Sequence, residues 1–152
     1  MRVRTLTTEL WLPRPLEEIF AFFSDAHNLE VLTPPWLRFR ILTPHPIDLR
    51  LGAIIEYEIR WRWVPLSWRT EIAAWEPPRR FIDRQVKGPY RRWVHEHTFE
   101  PRDGGTFMTD RVEYAVPGWL LEAIVDRLVV RPDVRRIFEY RRAKMQELFP
   151  PR

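Results

Sequence analysis

His95 and His97 stand one residue apart in a stretch of alternating pattern, Trp93-Val-His-Glu-His-Thr-Phe99. On a strand that spacing puts both imidazoles on one face. Asp103-Gly104 follows, a strong signal for a two-residue hairpin turn. Closing the chain there sets Phe99 against Met108, His97 against Asp110 and His95 against Val112, with Glu96 opposite Arg111 on the other face. A slip of one residue would set His97 against Arg111 and expose Met108, Val112 and Tyr114, so the first register is expected. Phe81, Asp83 and Gln85 share a face of the preceding strand, but the Lys87-Gly88-Pro89 turn permits either parity. If that face is inward, an apolar floor carries two histidines, two carboxylates and an amide.

Inward polar groups are costly unless paired, so such a cluster needs a reason. One reading is a satisfied structural network in which Asp110 orients an imidazole. A second is a set that orients a ligand inside a mostly apolar pocket, with Tyr57, Trp61, Asp83, Gln85, Trp93, His95, His97, Asp110 and Tyr114 as binding candidates. A third takes His95 and His97 with Asp110 or Asp83 as a His₂-carboxylate metal set, although H-x-H is weakly specific. A fourth makes His95, His97 and Asp110 the catalytic candidates, a general acid and base acting on a carbonyl substrate. No metal or other cofactor is expected.

Other chemistries lack their residues. There is no cysteine, which removes thiol catalysis, disulfides and thiolate ligands. No glycine-rich phosphate loop and no Gly-x-Ser-x-Gly elbow occur. Ser24 and Ser67 have no motif that would make either a nucleophile. The 8 tryptophans and a net charge of +4 raise nucleic-acid binding as a class, but the basic residues alternate with acidic ones along strands rather than forming a block. Tyr57, Trp61, Trp63 and Trp68 therefore read as core and cavity wall rather than a base-stacking platform.

The elements that must position the cluster follow from periodicity. Residues Arg4 to Leu12 read as a strand, with Leu6, Leu10 and Leu12 at period two. Pro13 and Pro15 end it, and Leu16, Ile19, Phe20 and Phe23 then form the apolar stripe of a short helix. Asp25 caps a further turn or two through Leu32, before Thr33-Pro34-Pro35-Trp36 stops the helix. A short strand around Phe39 and Ile41 precedes a longer one with Ile55, Tyr57, Ile59, Trp61 and Trp63 on one face. Taking Pro65-Leu66 as a two-residue loop sets Trp63 against Trp68, Ile59 against Ile72 and Arg60 against Glu71.

Beyond Pro117-Gly118 the pattern is helical to Phe149, and Pro132 predicts a kink or two helices. The later piece carries Val134, Ile137, Phe138, Met145, Leu148 and Phe149 and would run about 25 Å, enough to cross a sheet. Trp119 to Val130 is apolar over so wide an arc that it is either buried, a dimer contact, or a gate hinged at Pro132. A sheet with one charged and one apolar face must bury the latter under the long helix.

With these elements in place, the chain resembles the START-like (SRPBCC) ligand-binding superfamily of polyketide cyclases and birch-pollen-allergen-like proteins. Pro15-Leu-Glu-Glu-Ile-Phe-Ala-Phe-Phe23 resembles its first helix. Trp75-Glu76-Pro77-Pro78, Phe81 to Gln85, Gly88-Pro89-Tyr90 and Trp93 to Phe99 resemble a small bacterial branch also found joined to sugar-nucleotide epimerase-like domains. The resemblance covers nearly all of the 152 residues and implies an α+β helix-grip fold with a cavity under the last helix. It implies no particular reaction.

The expected function is binding of a small, mainly hydrophobic molecule whose polar group meets the cluster. A cyclase, aromatase or dehydratase is the alternative, and a nucleic-acid or protein interaction module a third reading. The length suits a single domain of 152 residues. No run reaches the ~18 apolar residues of a membrane span, and Met1 to Thr8 has no signal-peptide core. A cytoplasmic protein with no membrane partner is expected, nucleic acid is not expected, and a homodimer stays open.

Overall fold

The computed structural model describes all residues, Met1–Arg152. Strand β1 (Arg4–Leu12) leads into helices α1 (Leu16–Phe23) and α2 (Asn28–Leu32). Six strands follow: β2 (Arg40–Ile41), β3 (Ile54–Trp61), β4 (Val64–Glu76), β5 (Arg80–Lys87), β6 (Arg92–Arg102) and β7 (Gly105–Ala115). A short helix α3 (Glu122–Val125) passes through a π turn (Asp126–Val130) into α4 (Arg131–Leu148). The strands form one antiparallel sheet of order β1-β7-β6-β5-β4-β3-β2. The expected helix-grip architecture is borne out, with α4 against the apolar face. No helix is long and apolar enough to cross a membrane.

The β6–β7 hairpin has the expected register. Phe99 pairs with Met108, His97 with Asp110, His95 with Val112, and Glu96 with Arg111. Its turn uses Asp103 at φ 52° and Gly104 at φ 75°. Two positive φ values in succession give the twist that antiparallel strands need. The charged outer face is stitched by pairs such as Arg69–Glu56, Arg84–Glu71, Arg80–Glu96 and Arg92–Glu113.

The β3–β4 hairpin corrects the expectation. Its turn is Arg62-Trp63, both at positive φ (47° and 74°), and it pairs Trp61 with Val64, Ile59 with Leu66 and Tyr57 with Trp68. Ile54, not Arg60, faces Glu71. The reason is local: a tight two-residue hairpin turn requires positive φ at its first position, and proline is held near −65°. Pro65 instead lies in β4 before that strand pairs with β5 at Arg69, where a missing N–H disrupts no second ladder. The slip is even, so the inward face is the expected one except at Trp63, which is 84% exposed in the turn.

At Pro132 the backbone stays helical, and the irregularity lies just before it, in the π turn between α3 and α4. The proline falls in the first turn of α4, directly after the π turn. That turn aims Asp126 inward, where it is fully buried. Arg131 Nη2 (2.6 Å) and the Tyr114 hydroxyl (2.9 Å) donate to its carboxylate, and Arg4 Nε lies 2.8 Å from it as an ion pair. The Tyr114 hydrogen bond and the Arg4 ion pair fasten the α3 segment to β7 and β1.

Candidate functional site

Helix α4 presents Val134, Phe138, Arg141 and Met145 to the sheet. The spacing is that of an apolar stripe, and an arginine occupies its third position. The sheet and helices form two apolar clusters, one around Phe20, Phe81, Phe99 and Met145, the other around Val112, Tyr114, Val134 and Phe138. The polar side chains sit at their seam. His97 stacks on Phe81 at 4.1 Å between ring centroids, His95 on His97 at 3.7 Å, and His95 meets the edge of Phe138 at 5.5 Å.

The hydrogen-bond chain runs across three strands. His95 Nε2 is 2.8 Å from Asp110 Oδ1 on β7, and His97 Nε2 is 2.6 Å from Asp83 Oδ2 on β5. His97 Nδ1 lies 3.0 Å from Asp110 Oδ1, close enough for charge attraction but poorly aligned for a hydrogen bond. Arg141 Nη2 is 3.7 Å from the same oxygen. His95 Nδ1 is 3.9 Å from Asp83 Oδ2, beyond hydrogen bonding. The pairing of Asp83 with His95 and of Phe81 with His97 puts Asp83 on the inward face.

Burial opposes charge on each of these groups, and neighbours decide the outcome. For Asp110, burial is outweighed by Arg141, by the bond from His95 and by the close imidazole of His97, which hold its carboxyl well below the usual range. Asp83 is likewise held low, its burial overcome by His97 and His95. The imidazoles separate. Burial and the neighbouring His97 push His95 down, whereas Asp110 and Asp83 overcome burial and push His97 up. Near neutral pH His95 is therefore uncharged. A carboxylate can only accept, so the His95 proton sits on Nε2 toward Asp110 and Nδ1 carries a lone pair.

Between sheet and α4 lies a cavity of about 430 Å³. Of its 33 lining residues 24 are hydrophobic, which suits an apolar guest with few polar contacts. Tyr57, Trp61, Asp83, Trp93, His95 and His97 all line it. Three other sequence candidates do not. Asp110 lies behind the histidines, beside Arg141 and Arg142 in a shallower cleft. Gln85 holds the β5–β6 loop, donating to Tyr90 O at 2.7 Å and accepting from Tyr90 N at 3.1 Å. Tyr114 donates to Asp126. Trp61 donates to Asp133 Oδ2 at 2.7 Å, and the Tyr57 hydroxyl meets Thr70 Oγ1 at 3.2 Å.

Two lining residues escape a reading by strand pattern. Arg141 Nε and Nη2 and Trp68 Nε1 are buried without hydrogen-bond partners, and both residues line the cavity. The signal for Arg141 was its place seven residues after Val134 and four before Met145, in the apolar stripe. Trp68 looked like wall alone. Asp83, His95 and His97 offer ligand atoms within 4.8 Å of one another, the donor set of a His₂-carboxylate metal centre. As arranged, His97 Nε2–H donates to the Asp83 carboxylate, and Arg141 adds positive charge nearby.

The family described as polyketide cyclase / dehydrase and lipid transport matches residues 12–139. The chain belongs to that family. Among solved structures, protein Ms6760 from Mycobacterium smegmatis superposes with a TM-score of 0.70 at 23% identity, covering 97% of this chain and 96% of that one. Major latex-like protein 151 of Panax ginseng gives 0.69 at 10% identity, over 98% and 99%. A nucleoside-diphosphate sugar epimerase from Corynebacterium glutamicum gives 0.63 at 24% identity, with 93% of this chain matching 28% of that longer one. No curated protein matches by sequence. These likenesses bear out the resemblance read from the sequence, at the level of the fold.

Proposed function

We propose that the protein binds a small, mainly hydrophobic molecule carrying a hydrogen-bond acceptor, held between the sheet and α4. The observation that carries this is that two residues lining the cavity, Arg141 and Trp68, keep buried donors without hydrogen-bond partners (Nε and Nη2, and Nε1), which a turn of the side chain would offer to a guest. A buried donor without a partner costs about 1–3 kcal/mol, and an acceptor on the guest recovers it. A cyclase, dehydrase and lipid-transport family supports apolar guests bearing oxygen.

The test uses two bicyclic probes of nearly equal shape, 2-acetylnaphthalene and 2-isopropenylnaphthalene, each titrated by displacement of N-phenyl-1-naphthylamine. The ketone is expected to bind about ten-fold tighter. Arg141→Met and Trp68→Phe are each expected to shrink that ratio. Equal affinities in the unaltered protein sink the acceptor, and no binding of either sinks the cavity reading.

The state of His95 favours a second reading. An uncharged imidazole with Nε2–H held by Asp110 and Nδ1 free is a competent general base for a proton next to a bound carbonyl. Exchange of the methyl protons of 2-acetylnaphthalene in D₂O, followed by NMR, tests it. Acceleration that disappears in His95→Gln supports an enzyme, and no acceleration leaves a binder.

A further inference from the structure

The helical segment that walls one side of the cavity is apolar on both of its faces. Val125, Val129 and Val130 line the cavity, whereas Trp119 (82%), Leu120 (95%), Leu121 (60%), Ile124 (56%) and Leu128 (68%) are exposed. Leu121, Ile124 and Leu128 recur at helical spacing, so this is one outward stripe ending in a protruding Trp-Leu turn. Exposed apolar area of this extent marks an interaction surface. The segment is also firmly held, since Asp126 ties it to Arg4 and Tyr114. Its exposure is thus a property of the folded protein rather than of a loose end.

The surrounding charge identifies the occupant. Arg127 lies within the stripe, and Lys87 and Arg91 stand at the two ends of the β5–β6 loop, whose Tyr90 packs in the same apolar cluster as Val125. None of these three exposed cations has a carboxylate within salt-bridge distance, although most arginines of the sheet do. A second copy docking symmetrically through this face would bring two copies of the same uncompensated cationic patch together. A protruding tryptophan and leucine beside unpaired cations fit the boundary of an anionic bilayer, where indole prefers the headgroup level and basic side chains meet lipid phosphates. We propose that the Trp119–Leu128 face docks on anionic membrane surfaces, presenting the α3 wall of the cavity to the lipid. This is a surface contact and not a span. It departs from the expectation that no membrane is among the partners, and it stands independently of which guest the cavity takes.

Cosedimentation with phosphatidylcholine vesicles, with and without phosphatidylglycerol, tests the proposal at low and high salt. Binding is expected only with phosphatidylglycerol, weakened by salt, with a blue shift of tryptophan emission that Trp119→Phe diminishes. Leu120→Glu/Leu128→Glu is expected to lower vesicle partitioning by more than ten-fold, and Arg127→Glu by at least about five-fold. N-phenyl-1-naphthylamine binding in vesicle-free solution controls for fold and cavity, because none of these side chains lines the cavity. Failure to bind phosphatidylglycerol vesicles at low salt overturns the proposal, as does equal binding by the double variant. Sedimentation equilibrium showing a dimer that the double variant dissolves, without vesicle binding, would assign the face to a second copy. Loss of probe binding in the unaltered protein, with vesicle binding intact, would sink the cavity reading alone.

Discussion

Arg141 Nη2 stands 3.7 Å from Asp110 Oδ1, with both side chains about one-tenth exposed (11% and 9%). The helix thereby places a cation over a carboxylate that the sheet has already engaged with two imidazoles. Removing either charge leaves the other buried with fewer partners, and that penalty exceeds the strength of the contact itself.

Asp110→Ala is expected to destabilise the protein by about 3–5 kcal/mol in urea unfolding. Arg141→Met should cost less, since a flexible apolar chain fills the same stripe of α4. The double variant should be more stable than the sum of the two losses by about 1 kcal/mol or more. Additive losses would show that the helix and sheet charges do not communicate.

The histidines act on stability with opposite signs. His95 is pushed down, so its contribution is full above the unfolded value of about 6.5 and is lost as pH falls toward its folded value. His97 is pushed up, so its contribution is present below about 6.5 and is lost as pH rises through its folded value. Asp83 and Asp110 are both held low, so stability also falls as pH drops below about 4. Imidazole nitrogen shifts should show His97 losing its proton at higher pH than His95. The reverse order would contradict the arrangement of carboxylates described above.

Asp126 has an equally concrete signature. Replacing it with alanine leaves the Tyr114 hydroxyl without its acceptor and Arg4 with Glu122 alone, loosening the α3 segment from β7 and weakening its hold on β1. Amide exchange across 119–130 should accelerate by at least ten-fold while β6 and β7 keep most of their protection. Uniform acceleration everywhere would mean that the segment is part of the global core.

The β3–β4 turn offers a gain rather than a loss. Arg62 and Trp63 both take positive φ, and Trp63 is almost fully exposed. Asn and Gly relieve that backbone cost, so Arg62→Asn/Trp63→Gly should stabilise the protein by about 1 kcal/mol in urea unfolding. Destabilisation of similar size would argue for a turn at Pro65-Leu66.

Much of this molecule is legible residue by residue. Leu6, Leu10 and Leu12 announce β1, the Leu16–Phe23 stripe announces α1, and Asp103-Gly104 sets the register that joins His97 to Asp110. The β3–β4 turn was also legible, since the fixed φ of Pro65 disqualifies it from the turn. Hydrophobic alternation drew attention to Trp63 on the wrong side of that turn.

Period and turn chemistry are local, so the sequence by itself determined the strands, the order of elements and the shared face of His95 and His97. The face of Asp83 depended on a loop of either parity, and Gln85 decided it by bonding to Tyr90 at both amide ends. The entry of Arg141 into the site depended on how far α4 slides along the sheet, which no single segment encodes. Tertiary packing alone brought that cation to Asp110, because the charges it balances lie on three strands that pair only after the chain has closed.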